Sequence, residues 1–332
     1  MTTRAQFIDI FPTEFEQILN LNHSEFSFSS VLVTGSNGML GNAVAITLDK
    51  LIHKHAHECE LYLASRSWPA EATGGFEGSP ILITNNEVRT QRYNFDLIVH
   101  CASPSNVTKI ESYEHLIEIN RGFLENCISS TTKKVIFISS GEVYKGGSTK
   151  IEAKKTDRVT GDIRDWYPLA KIDCEEYLFK MNSTLRLSVD IIRLFHTFGP
   201  GLSRNDGRSF SDILYAAADD EVIKLKSDGS QIRSFLYLGD AVSAILQCAR
   251  DDSEFRLLNV GSPNQISILQ FAELVANATD SDVIIEKKGF SHSPFNFIVP
   301  DISETLAWGW KPIVEIHDSI NLTLDWIKKQ KL

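Results

Sequence analysis

Short apolar runs alternate with longer amphipathic stretches along most of this chain. Ser30-Val31-Leu32-Val33-Thr34 is a compact β-branched run that stops at Gly35, and residues 61–64, 81–84, 97–99, 135–138 and 189–192 repeat the pattern. Strands buried on both faces of a sheet look like this: short, unbroken, and rich in Val, Ile and Leu. Between them, residues 43–51, residues 113–128 and a stretch opening near Tyr167 carry helical spacing. Strand and helix in alternation predict an α/β fold built on a doubly wound parallel sheet. Right-handed crossovers then place any ligand at the carboxyl ends of the strands. After Pro200 the texture loosens, with Gly199-Pro200-Gly201 and Ser227-Asp228-Gly229-Ser230 among shorter elements. That change predicts a smaller domain over the sheet edge. Ahead of the first strand, Phe11, Phe15, Ile18 and Leu19 share helical spacing. Residues 1–29 therefore read as a helical extension docked on the main body.

Composition narrows the class. The chain has 332 residues, 42% of them hydrophobic and 23% charged, as expected for a soluble globular protein of about two domains. Its net charge is −10, from 43 acidic and 33 basic residues. With no Lys/Arg-rich patch, that balance argues against nucleic acid or an anionic membrane as partner. The five cysteines stand singly, without a C-x-x-C pair, and read as reduced thiols in the cytoplasm. No secretory leader pattern and no apolar stretch of about 18 residues is present. His53, His55, His57 and Cys59 cluster, but their spacing does not bring three ligands to one helix face; no metal is expected. The Lys328-Lys329-Gln330-Lys331 run reads as a solvated helix end.

Chemistry enters at Gly35-Ser36-Asn37-Gly38-Met39-Leu40-Gly41, which follows a strand and opens a helix. Glycines there let the backbone approach a pyrophosphate, and the helix N-terminus supplies free N–H donors and a positive dipole end. At the end of the second strand, Ala64-Ser65-Arg66-Ser67 lacks the carboxylate that binds the ribose hydroxyl of NAD. Arg66 would accommodate the additional phosphate of NADP.

Tyr167-Pro168-Leu169-Ala170-Lys171 puts a phenol and an ammonium at i and i+4, on one helix face. Pro168 suits the first turn of a helix starting there. The lysine charge is expected to pull the phenol pKa down from about 10, so that Tyr167 can remove a hydroxyl proton as hydride leaves the same carbon. Ser140, delivered by the strand at 135–138, can hydrogen-bond the reacting oxygen.

With the glycine turn and this Ser/Tyr/Lys set in order, the chain resembles the extended short-chain dehydrogenase/reductases, specifically the NAD-dependent epimerase/dehydratase family acting on nucleotide sugars. Other matching pieces are His100-Cys101-Ala102-Ser103-Pro104, Ser139-Ser140-Gly141-Glu142-Val143-Tyr144 and Arg193-Leu194-Phe195-His196-Thr197-Phe198-Gly199-Pro200. Asn205-Asp206-Gly207-Arg208, Gln231-Ile232-Arg233-Ser234-Phe235 and Asn259-Val260-Gly261 continue the agreement. The resemblance implies an NAD(P)-binding Rossmann domain over residues 30–194. A mainly substrate-binding domain would occupy 195–332, with segments around 236–260 returning to the sheet. It implies cofactor contacts from Gly35, Asn37, Gly38, Met39, Leu40, Gly41, Arg66, Cys101, Ala102, Ser103 and Asn120, together with Tyr167 and Lys171. Ser103, Ser140, Glu142, His196, Arg208 and Arg233 would face a sugar nucleotide, Arg233 at its diphosphate. NAD is favoured by the family and NADP by Arg66. The helices near 113–128 and 167–180 resemble those through which relatives pair as dimers.

Two positions bear on the reaction. Sugar dehydratases carry an Asp-Glu pair where this chain has Gly141-Glu142, which weakens a dehydratase reading. The pattern looks most like UDP-glucuronate decarboxylases, which keep the glutamate, although His196 replaces a common asparagine. Catalytic roles fall to Tyr167, Lys171, Ser140 and Glu142. The expected activity is transient oxidation of sugar C4, ending in epimerisation, decarboxylation or dehydration. One-way reduction of a 4-keto sugar by NADPH is the alternative, and a non-catalytic dinucleotide sensor is a third reading.

Overall fold

The computed structural model describes residues 26–55, 58–68, 76–91, 93–103, 112–144, 166–286 and 297–331. The N-terminal helix expected around Phe11–Leu19, as well as Pro104 and His57, lies outside them. Among the described residues, seven parallel strands form the central sheet: β1 (Ser30–Thr34), β2 (Glu60–Ser65), β3 (Ile81–Thr84), β4 (Leu97–His100), β5 (Lys134–Ser140), β6 (Ser188–Leu194) and β7 (Phe255–Val260). Their spatial order is β7-β6-β5-β4-β1-β2-β3. The chain winds outward from β1 to β3, then returns to β4 beside β1 and winds the other way. β1 and β4 pair in parallel from Val31↔Leu97 to Thr34↔His100. The reversal between them is the switch point at which an open α/β sheet leaves a crevice above its carboxyl ends.

Continuous apolar strands serve both faces. Val31, Val33, Leu63, Val99 and Ile136 pack with Ala43, Val44, Ile46 and Leu48 of helix Met39–His55 and with helix Leu238–Arg250. Leu32, Ile98, Val135, Phe137 and Val189 face the other way, toward Phe123, Leu124, Cys174 and Leu178. The last two belong to helix Trp166–Leu185. A further core joins Phe198, Phe210, Phe235 and Phe271 with helices Ser209–Ala218, Ile268–Thr279 and Ile316–Lys329.

Two local features go beyond the sequence reading. The helix expected through 113–128 is interrupted: Tyr113–Ile117 and Phe123–Cys127 are α-helical, while Glu118–Gly122 widens into a π turn. There the amide of buried Asn120 donates to Leu116 O at 2.8 Å. The second concerns the C-terminal lysines, which are exposed as a solvated helix end should be, while Lys331 also carries an ion pair. Its Nζ lies 2.6 Å from Asp219 Oδ1 and also bonds Ala218 O, so it fastens the final helix to Ser209–Ala218.

Candidate active site

The glycine turn rises between β1 and the start of helix Met39–His55. Gly35 has φ +66°, and a Cβ there would lie 2.8 Å from the Ala102 backbone following β4. A Cβ at Gly41 would fall 2.3 Å from Gly35 O, whereas one at Gly38 would lie 3.2 Å from the same oxygen. Hydrogen alone fits at 35 and 41. The turn is closed by Gly38 N–H to Gly35 O at 2.9 Å. This leaves a cradle that a Cβ would fill, with first-turn N–H groups of Met39 and Leu40 opening on it. Such a cradle fits the pyrophosphate of a dinucleotide. Asn37 is committed locally, its amide donating to Ser65 Oγ and Ser67 O, both at 2.8 Å. It thereby pins the loop after β2 from which Arg66 projects into solvent.

Across the crevice, Thr34 Oγ1 lies 2.9 Å from His100 Nδ1 and accepts the Ala102 N–H at 3.2 Å. The loop bearing Cys101, Ala102 and Ser103 is thus tied to the glycine turn. His100 is wholly buried and stacked on Phe123 and Phe137, and burial lowers its pKa to about 3. It is a neutral ring that holds the two strand ends in register. Burial pushes the Cys101 thiol up to about 12, so it is no nucleophile.

Tyr167 and Lys171 stand on one face of helix Trp166–Leu185, whose first turn accepts Pro168. Lys171 Nζ donates to Ile138 O at 2.8 Å and sits 4.7 Å from the Phe137 ring centroid and 5.9 Å from that of Tyr167. Burial lowers its pKa from 10.5 to about 8. The phenol moves against expectation, because burial raises the Tyr167 pKa. The hydroxyls of Ser140 and Ser103 and the charge of Arg208 favour the phenolate, while Glu142 opposes it. Lys171 does not bring the net shift downward: its ammonium is drawn to the Ile138 carbonyl, and lost hydration of the phenolate outweighs the rest.

Ser140 ends β5, and its Oγ accepts the Glu142 N–H at 3.2 Å within the short 3₁₀ turn Gly141–Tyr144. Gly141 is a steric requirement. A Cβ there would lie 2.6 Å from Cδ1 of Phe195, a ring 1% exposed and stacked on Tyr144.

From the other side come His196, Arg208 and Arg233. Arg208 is paired with Asp206, Nη2 to Oδ2 at 2.8 Å and Nε to Oδ1 closer still, and its guanidinium lies 4.6 Å from the Phe210 ring centroid. Arg233 is buried, donating to Ile232 O at 2.8 Å and Gln231 Oε1 at 2.9 Å. Burial holds His196 neutral, and the charges of Arg233 and Arg208 add to the effect. Electrostatic coupling of Tyr167 with Glu142 and Arg208, and of Arg233 with Glu142, places these groups in one cluster. Asn120 lies on the π turn, with Oδ1 buried and unpartnered among the described residues. Sequence reading missed Glu175, which follows Lys171 by one turn and pairs with Arg193 beneath the cluster, Nη2 to Oε2 at 2.6 Å. The i, i+4, i+8 spacing from Tyr167 was the available signal.

Two outcomes follow from this geometry. Gly41→Ala forces backbone against backbone and should abolish NAD binding in calorimetric titration, whereas Gly38→Ala should only weaken it. Between pH 8 and 10.5 the unfolded chain holds a proton at Lys171 that the folded chain has shed, so this residue's contribution to stability rises with pH. Urea unfolding of the nucleotide-free protein should therefore show the free-energy difference between wild type and Lys171→Met moving in favour of wild type by up to ~3 kcal/mol across that window. An unchanged difference would contradict the buried charge.

Comparison with known proteins joins this geometry to a family. The model of the NAD dependent epimerase/dehydratase family matches residues 31–261. UDP-N-acetyl-alpha-D-glucosaminuronate decarboxylase of Bacillus cytotoxicus is 30% identical over 280 residues, covering 81% of this chain and 84% of that protein. UDP-glucuronic acid decarboxylase 1 of Xenopus tropicalis is 25% identical over 323 residues, covering 92% of this chain and 74% of its own length. The fold is shared with the crystal structure of UDP-glucuronic acid 4-epimerase from Bacillus cereus in complex with UDP-glucuronic acid and NAD. That match has a TM-score of 0.72 and 19% identity, covering 91% of this chain and 99% of the epimerase. The glycine cradle, the Tyr167–Lys171 face and the match over 31–261 lead to one conclusion: the chain belongs to the NAD-dependent epimerase/dehydratase family of enzymes.

Proposed function

We propose that this enzyme decarboxylates a UDP-linked hexuronic acid through transient oxidation at C4. The observation that carries the reading is the pairing of Glu142, kept beside Tyr167, with a Gly141 that Phe195 bars from bearing an acid. Dehydration needs a side chain to protonate a departing hydroxyl, and this site has no room for one there. Loss of carbon dioxide needs none, because a carboxylate β to a new ketone leaves by itself. The relatives named as decarboxylases support the same choice.

In this reading the glycine cradle holds the pyrophosphate of NAD, and Lys171 binds the ribose next to the nicotinamide. When bound, NAD accepts a hydride from the sugar and later gives it back. Tyr167, as phenolate, takes the C4 hydroxyl proton while Ser140 hydrogen-bonds the same oxygen. The C5–carboxylate bond then breaks, its electron pair passing to the C4 oxygen as an enolate held by Ser140 and the tyrosine hydroxyl. C5 takes a proton from a solvent water that Glu142 orients, and Tyr167 returns its own proton to the C4 oxygen as the ketone is reduced. Arg233 and Arg208 bind the diphosphate, with the neutral His196 between them adding no competing charge. The missing carboxylate after β2 and the solvent-facing Arg66 favour use of NADP as well, readable as the ratio of the two dissociation constants. A cytoplasmic homodimer completes the reading, supported by Trp166, Phe179 and Leu185, 41%, 56% and 50% exposed on helix Trp166–Leu185; a monomer in sedimentation would end that part.

Incubation with UDP-glucuronate or UDP-N-acetylglucosaminuronate and NAD, followed by mass analysis, should show loss of carbon dioxide. Unchanged mass with inverted C4 would make the enzyme an epimerase, and gain of two hydrogens from NADPH a reductase. Tyr167→Phe should retain NAD and lose about 10²–10⁴-fold in turnover; activity near wild type removes Tyr167 as the base.

A further inference from the structure

We propose that the buried chain Glu175–Arg193–Tyr144–Asn259 is a positioning device that sets the helix carrying Tyr167 against the turn carrying Glu142. The assignment of roles to those two residues rests on the function proposed above, while the device itself is argued from geometry.

Glu175 occupies the same helix face as Tyr167 and Lys171, two turns after the phenol, and is buried with Arg193, their side chains 8% and 7% exposed. Its Oε1 accepts from Ser139 Oγ and from Arg193 Nε at 3.1 Å, and its Oε2 from Arg193 Nη2 at 2.6 Å. Ser139 directly precedes Ser140, so the carboxylate fixes the depth of the catalytic helix against the strand end that presents the Ser140 hydroxyl. From Arg193 the constraint passes onward. Nη1 donates to the Tyr144 hydroxyl at 2.7 Å, and that hydroxyl donates to Asn259 Oδ1 at 2.7 Å. Tyr144 closes the 3₁₀ turn that contains Glu142. Asn259 lies on β7, where its side-chain amide donates to Asp301 O at 3.2 Å and its main-chain carbonyl accepts from Thr305 Oγ1 at 2.7 Å. One network therefore joins the helix of the base, the strand of Ser140, the turn of Glu142 and a C-terminal segment.

A buried ion pair is a poor source of stability, because desolvation of both partners offsets their attraction; apolar replacements are often neutral or better. What such a pair provides is a fixed geometry, since its hydrogen bonds are satisfied in one arrangement only. Here that arrangement lies directly beneath the reacting groups. The Tyr144 hydroxyl joins the arginine to the asparagine. Tyr144→Phe deletes this oxygen while keeping the ring that stacks on Phe195 and lies 4.8 Å from the Arg193 guanidinium. It changes no charge at neutral pH, so any change at Tyr167 reports position.

The test uses the NAD-loaded protein with Tyr144→Phe and, separately, Glu175→Gln. Phenol titration of Tyr167 is read by ultraviolet difference against each protein carrying Tyr167→Phe as well. The first-turnover reduction of bound NAD by UDP-glucuronate is followed alongside. Both variants should titrate Tyr167 at higher pH, because drift away from Ser140 removes the largest influence favouring the phenolate. Reduction should slow at least tenfold, with half-saturating substrate within twofold of wild type. Glu175→Gln separates position from charge, since removing an anion by itself would move the phenol titration down. Wild-type titration and rate in Tyr144→Phe, or a downward shift with wild-type rate in Glu175→Gln, would overturn the proposal. Should Tyr144→Phe fail to fold, Glu175→Gln decides by the sign of its shift. The titration needs no sugar, so wild-type protein inert toward both UDP-glucuronate and UDP-N-acetylglucosaminuronate would sink the proposed function and leave the positioning device to be judged on the phenol alone.

Discussion

The backbone after β1 touches the backbone after β4 because Gly35 carries no side chain, and this approach makes the crevice usable. At 2.8 Å from the Ala102 main chain, even a methyl group would hold the two strand ends apart. With hydrogen there, the opening helix aims its free N–H groups into the switch point of the sheet. Thr34, bonded to both His100 and the Ala102 amide, reinforces the same contact from within. Everything proposed for the site presupposes that seam. Ser103, on the loop the seam positions, favours the Tyr167 phenolate.

Around this seam the sequence spends its buried polar groups unevenly. Desolvation raises the phenol, lowers the lysine and keeps His100 and His196 neutral. Without ligand, both members of the Tyr–Lys pair thus lean toward their uncharged forms. Arg208 pairs with Asp206, and burial lowers the Arg233 pKa while Glu142 supports its charge. In the proposed reading a dianionic diphosphate would meet these two guanidinium groups beside the neutral His196. That division follows from burial depth and requires no special residue type.

Much of this was legible in the sequence because periodicity reports burial. The runs at 30–34, 81–84 and 135–138 announced a parallel sheet since a strand covered on both faces has no polar alternation to show. The glycine turn and Tyr167–Lys171 were legible because local geometry, a tight turn and one helical repeat, fixes their relation. Long-range effects were not. The π turn at Glu118–Gly122 leaves no mark on a hydrophobic pattern, and the ion pair that exposed Lys331 makes with Asp219 spans over a hundred residues. The direction of the Tyr167 shift was misjudged for a related reason: helical spacing revealed the neighbouring ammonium but not the carbonyl that draws it, nor the depth of burial. Glu175 hid in plain view as one acid among 43 until Arg193 and Ser139 were seen to converge on it.

The contact between Phe195 and Gly141 has a consequence for how this scaffold could change its chemistry. An aspartate at 141 alone would strike the Phe195 ring, which is buried and stacked on Tyr144. Acquiring an acid there thus requires the aromatic to shrink beforehand, and the smaller residue brings no benefit until the acid follows. Two substitutions that are useful only together form an evolutionary barrier. A chain that has settled on glycine at this point is held to its branch of the reaction tree by packing as much as by catalysis.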